Sequence, residues 1–133
     1  MTYVSLLKEG LKIASSEIPP QIQQQIIRMQ QLQQSLELLV SQRTQLEIQL
    51  RETEAALKEL EDVKAEDVVY KIVGPLLVKA DPNKVKEELE DLKVSVDTRI
   101  KTLKRQEERT RQQLEEMREK IQAALQGGVS PAG

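Results

Sequence analysis

From Ile22 to Leu60, apolar side chains recur at alternating spacings of three and four residues. With Ile22 as position a of a seven-residue repeat, the a positions are Ile22, Met29, Leu36, Arg43, Leu50 and Leu57, and the d positions are Gln25, Leu32, Leu39, Leu46, Thr53 and Leu60. Nine of these twelve are apolar. A repeat averaging about 3.5 residues over more than five heptads predicts a helix that buries one stripe against another helix. Pro19-Pro20 marks its start, because proline fits the first helical turn and is excluded from the interior.

A second seam runs through Leu89, Lys93, Val96, Ile100, Leu103, Glu107, Thr110, Leu114, Met117, Ile121 and Ala124, eight of them apolar. Asp81 is the expected N-cap before Pro82, and Gly127-Gly128 the C-terminal stop. Each helix is then about 43 to 45 residues, roughly 65 Å at 1.5 Å per residue. Equal lengths predict antiparallel pairing, with facing residues whose numbers sum to about 146. Leu50 then lies near Val96, Met29 near Met117 and Ile22 near Ala124.

The connector from Asp62 to Ala80 has a different chemistry. Val68-Val69-Tyr70-Lys71-Ile72-Val73 and Leu76-Leu77-Val78-Lys79 are rich in β-branched and apolar residues, with Gly74-Pro75 between them. This predicts a β-hairpin at about 67–80 closed by a two-residue turn, Gly74 taking a positive φ as in type II′. Val68, Tyr70 and Ile72 then share one face and Val69 and Val73 the other, with Leu76, Leu77 and Val78 divided in the same way. Both faces are apolar. A lone hairpin is marginal in water and one coiled coil cannot cover two faces and two edges, so the expected partners are hairpins of other chains.

Composition narrows the picture further. The 133 residues include no Phe, Trp, Cys or His, and two Tyr, so Leu, Ile, Val and Met supply nearly all the burial. That suits a helical seam better than a thick globular core. A net charge of −2 with both signs interspersed provides no general attraction to nucleic acid or to a membrane surface, and no run reaches the length of a membrane-spanning helix. Six basic residues between Arg99 and Arg111 could meet an acidic surface, but no aromatic side chains accompany them to stack on bases. No catalytic residue, metal site or cofactor loop is expected: nucleophilic and metal-binding His and Cys are absent, and none of the five glycines stands in a phosphate-binding loop. The glutamines from Gln21 to Gln34 read as a solvated helix face, because Ile22, Ile26, Met29 and Leu32 keep helical spacing through them.

Two coils flanking Val69-Tyr70-Lys71-Ile72-Val73-Gly74-Pro75-Leu76-Leu77-Val78-Lys79, with Arg105-Gln106-Glu107 in the second helix, resemble the beta class of the prefoldin family. The likeness covers about residues 18–126, and the single hairpin is the beta feature, the alpha class having two. What the resemblance implies is an ATP-independent cytoplasmic chaperone subunit in a hexamer of two alpha and four beta chains. Its hairpins, here Val68, Val69, Tyr70, Ile72, Val73, Gly74, Pro75, Leu76, Leu77 and Val78, would assemble into intersubunit β-barrels. Six coils would hang from these as tentacles whose tips hold unfolded proteins and pass them to a group II chaperonin.

The tips fall on Ile18, Ile22, Ile26, Met29, Met117, Ile121 and Leu125. Read by spacing alone these are ordinary seam positions running to the helix ends; the resemblance makes them the client-binding surface. A structural scaffold or tether with specific folded partners is the alternative function, and it differs from a holdase in ignoring unrelated unfolded proteins. Residues 1–17 depart from the family pattern: Tyr3, Leu6, Leu7, Leu11 and Ala14 are spaced for a short amphipathic helix, weakened by Gly10. A disordered tail is the default reading, and the segment could also be an upstream translation start with no role, a lure for clients or a cover over the tips. Residues 127–133 are expected to be a disordered tail.

Overall fold

The computed structural model describes residues 18–127, so the expectations for residues 1–17 and 128–133 fall outside the described residues. The elements follow in the order α1 (Pro20–Leu60), β1 (Val69–Val73), β2 (Leu76–Ala80) and α2 (Pro82–Gly127). This is the mainly helical, single-hairpin architecture that the two seams and the β-branched connector predict. Among the described residues no helix is long and apolar enough to cross a membrane.

The helix boundaries have local causes. The Pro19 carbonyl accepts hydrogen bonds from the amides of Ile22 at 3.0 Å and Gln23 at 3.1 Å, and Pro20 occupies the first turn, where its missing N–H costs nothing. α1 ends without glycine or proline. Its last turn tightens through Glu61 N–H to the Lys58 carbonyl and Val63 N–H to the Leu60 carbonyl, both 3.2 Å. Beyond it, the Lys64 amide donates to the Asp67 carboxylate at 2.7 Å while the Asp67 amide returns a bond to the Lys64 carbonyl at 3.0 Å. α2 begins on the expected cap: the Asn83 amide donates to Asp81 Oδ1 at 3.1 Å and the Val85 amide to the Asp81 carbonyl at 3.0 Å. Its helical turns take in Gly127, one residue past the predicted end.

The hairpin is antiparallel, pairing Val69 with Ala80, Tyr70 with Lys79, Lys71 with Val78, Ile72 with Leu77 and Val73 with Leu76. Gly74 sits at φ 58°, the positive value that the first position of a two-residue hairpin loop requires. Val68 lies just before β1, outside the paired strand.

By internal contacts the chain divides into two units, one of residues up to Val40 and from Arg105, the other Ser41–Lys104. In the first, Ile26, Met29, Leu32 and Leu36 of α1 form a buried cluster with Leu114 and Ile121 of α2, and Ile22, Val40, Met117 and Leu125 pack on it half-buried. In the second, Leu46 of α1 clusters with Val96 and Ile100 of α2, with Leu50 and Leu103 against them. Met29 with Met117 and Leu50 with Val96 are thus each in one cluster, as antiparallel pairing predicts.

All twelve a and d positions of α1 are buried or half-buried. The stripe is wider than two positions per heptad, since Ile26, Gln33, Val40 and Glu47 beside it are also covered. Ile26, outside the a and d set, is a core residue. In α2 the seam position Lys93 is exposed, because its long stem carries the ammonium out to water. Two polar seam residues are buried: the Thr53 hydroxyl donates to the Gln49 carbonyl at 2.8 Å, and the Glu107 carboxylate lies 3.9 Å from Arg111.

Candidate functional site

The hairpin is the first candidate surface. Pairing places Tyr70, Ile72, Leu77 and Lys79 on one face and Val69, Lys71, Val73, Leu76, Val78 and Ala80 on the other. Ile72 and Leu77, directly opposed, are 77% and 67% exposed, and Val68, Tyr70, Val73, Leu76 and Val78 are exposed as well. Only the base of the second face is partly covered, at Val69 and Ala80. Lys71 on that face reaches Glu88 of α2 at 3.5 Å, which ties the hairpin to the first turns of the helix. The pair is exposed, so it orients the hairpin more than it stabilises it. So many large apolar side chains in adjacent pairs on ten strand residues form a continuous exposed apolar surface rather than a scatter of single exposed side chains.

The second candidate surface belongs to the first unit. Of the residues singled out there from the sequence, Ile18, Ile26, Met29 and Ile121 are buried, Met29 at 1% and Ile121 at 0% exposure, while Ile22, Met117 and Leu125 are half-buried. Met29 and Ile121 are therefore core packing in this state, and the half-buried three are the accessible part of the set. Beside them a shallow groove is lined by Gln25, Arg28 and Leu32 from α1 and by Gln113, Glu116, Met117 and Lys120 from α2. The amide oxygen of Gln25 is buried there with no hydrogen-bond partner among the described residues. Along α2, Arg118 donates from Nε to Glu115 Oε2 at 3.1 Å and from a second guanidinium nitrogen to Oε1, and this bonding holds the Glu115 carboxyl below its usual 4.5.

Sequence reasoning passed over Ile27, Leu38, Ile48, Leu92 and Val94, all exposed. The signal for Ile27 was present: Ile26 and Ile27 are adjacent, and neighbouring helical residues stand about 100° apart, so one seam cannot take both.

The sequence pattern of the family described as Prefoldin subunit matches residues 23–128. The chain belongs to the prefoldin subunit family. Prefoldin subunit beta of Archaeoglobus fulgidus is 47% identical over 109 residues, covering 82% of this chain and 94% of that one. Prefoldin subunit beta of Methanothrix thermoacetophila is 39% identical over 119 residues, 90% of this chain and 98% of that one. The crystal structure of the prefoldin beta subunit from Thermococcus strain KS-1 superposes with a TM-score of 0.74 at 36% identity, over 83% of this chain and 96% of that chain. The prefoldin beta2 subunit of the same strain matches at 0.61 and 26% identity, over 68% of this chain and 96% of that one. The beta-class resemblance carried by the hairpin segment is thus the family's own.

Proposed function

We propose that this chain is a beta subunit of an ATP-independent holdase that captures unfolded proteins in the cytoplasm and delivers them to a group II chaperonin. The observation that carries this reading is the family match over residues 23–128, which takes in both helices and the hairpin between them. Two features of the surface support it. The hairpin exposes apolar residues on both faces, as a strand pair does when its partners are hairpins of neighbouring chains, here two alpha and three further beta subunits. Half-buried Ile22, Met117 and Leu125, with the groove beside Met117, offer an apolar contact to a client.

Contacts of this size are individually weak, and several coils acting on one client would raise affinity through effective concentration, so release needs no nucleotide. Met adapts to irregular apolar partners, which suits capture without sequence preference.

The test is the mass in solution of the chain with an alpha-type subunit, followed by ATP-free protection of an unrelated aggregating protein by the same sample. A hexamer-sized particle that protects is expected. Replacing Ile22, Met117 and Leu125 by Ser, with helix content checked by circular dichroism, should lower protection several-fold while leaving particle mass unchanged. A particle that assembles and fails to protect would instead point to a scaffold with specific folded partners.

A further inference from the structure

The outer face of α1 in the first unit is unusual. Taking the buried line Met29, Leu32 and Leu36 as the inner face, the opposite side of the helix carries Ile27, Gln31, Gln34 and Leu38, flanked by Gln24 and Ser35. Not one of these is charged, although the solvent side of an amphipathic helix is where charges ordinarily concentrate. Between Pro19 and Val40 the only charged residues are Arg28 and Glu37, and both fall on the flanks. α2 carries ten charged residues between Arg105 and Gly127. Ile27 and Leu38 stand 54% and 60% exposed on this uncharged face. They are eleven residues apart, close to three helical turns, and so project in nearly the same direction.

We infer that this face is the docking site of the chain's own N-terminal segment, residues 3–14. Those residues lie outside the described residues and precede the family match, which starts at residue 23. Tyr3, Leu6, Leu7, Leu11 and Ala14 form one apolar side on a helical projection, with Ser5, Lys8, Glu9 and Lys12 opposite. A segment of this length gains stable helicity only by covering its apolar side. Tyr3 and Ala14 are eleven residues apart, the same interval as Ile27 and Leu38. In an antiparallel alignment Ala14 meets Ile27, Gly10 meets Gln31, Leu7 meets Gln34 and Tyr3 meets Leu38.

The point of departure suits this alignment. Ile18 is buried on the first unit, and its carbonyl accepts a 3.1 Å hydrogen bond from the Gln23 side-chain amide, which fixes where the preceding chain leaves. The four residue steps from Ile18 back to Ala14 span at most about 13 Å. Ile27 lies seven residues beyond Pro20, about 10 Å along the helix. Gly10 sits where the segment crosses Gln31, so the two backbones can approach closely there. Because it is tethered, the segment reaches this face at an effective concentration in the millimolar range, which a separate partner of equal affinity must match. The inference stands apart from the client reading and survives its failure.

The chain has no cysteine, so pairs introduced into the full-length protein report proximity cleanly. Under mild oxidation, Gly10→Cys with Gln31→Cys should form an intrachain disulfide about tenfold faster than Gly10→Cys with Arg109→Cys on the exposed surface of α2, since only the first pair is held together. Adding Ile27→Ser and Leu38→Ser to the first pair should bring its rate down to that of the second; both side chains are exposed, so the fold survives their replacement. Equal rates for the two pairs, or a fast rate indifferent to the serine substitutions, overturns the inference. So does a disulfide that forms mainly between chains when the singly substituted proteins are mixed, which would assign the face to a second copy.

Discussion

Met29 and Ile121 are the most deeply buried large side chains of the described residues, while Ile27, two positions from Met29, is exposed. Hydropathy does not separate them, and only their angle on the helix does. Met29→Ala or Ile121→Ala should destabilise the helical fold by about 2–5 kcal/mol, because the cavity adds to the lost transfer energy. Ile27→Ala should stay within about 0.5 kcal/mol, and urea unfolding followed by circular dichroism distinguishes these outcomes. Glu115 supplies a pH signature. Hydrogen bonding to Arg118 lowers its carboxyl below the usual 4.5. A depressed carboxylate stabilises the folded state above its unfolded pKa, and the contribution disappears as pH falls through the folded value. Glu115→Gln should therefore lower the melting temperature slightly at neutral pH and leave it unchanged near pH 2, about where both states are protonated. A difference persisting in acid would show that the pair acts through packing.

At the scale of elements, the hairpin depends on its turn. Gly74 has a φ of 58°, and a Cβ built there meets nothing within 4 Å, so the cost of a side chain is conformational and not steric crowding with neighbours. Gly74→Ala should cost about 1–2 kcal/mol. Amide exchange at Val73 and Leu76 should quicken by roughly tenfold as the closing pair opens, with the melting of the helices unaltered. The helices have distributed support instead. The twelve seam positions of α1 read from the seven-residue repeat are all covered, and the Asp81 cap predicted from the Asp-Pro pair is formed. The end of α1 was less legible: its stop at Leu60 depends on backbone bonds at Lys58 and Leu60 and on the Lys64–Asp67 turn, with no glycine or proline to announce it.

For the whole molecule, the decisive quantity is the apolar surface that the single chain leaves uncovered at the hairpin. If neighbouring hairpins cover it, charges introduced at its centre must break the assembly. Ile72→Asp with Leu77→Asp sets two carboxylates directly opposite each other in the strand register, which is destabilising in itself and expensive in an apolar interface. The expected result is loss of the high-mass particle in light scattering with helix content retained. A particle of unchanged mass would require another surface to hold the subunits together. On the proposed function the surfaces divide the labour: the hairpin would join chains, and the half-buried residues of the first unit would meet clients.

The sequence by itself determined the number and order of the elements, the helix stripe, the hairpin register about Gly74-Pro75 and the family, because each depends on local spacing and local chemistry. The covering of individual stripe residues was decided by tertiary packing. Ile26, off the nominal seam, joined the core because the covered stripe is wider than two positions per heptad, the equivalent positions Gln33, Val40 and Glu47 being covered as well. Met29 and Ile121 became core while Ile22, Met117 and Leu125 kept part of their surface. Burial depends on what the partner helix presents at that level, and no pattern confined to one helix contains that information.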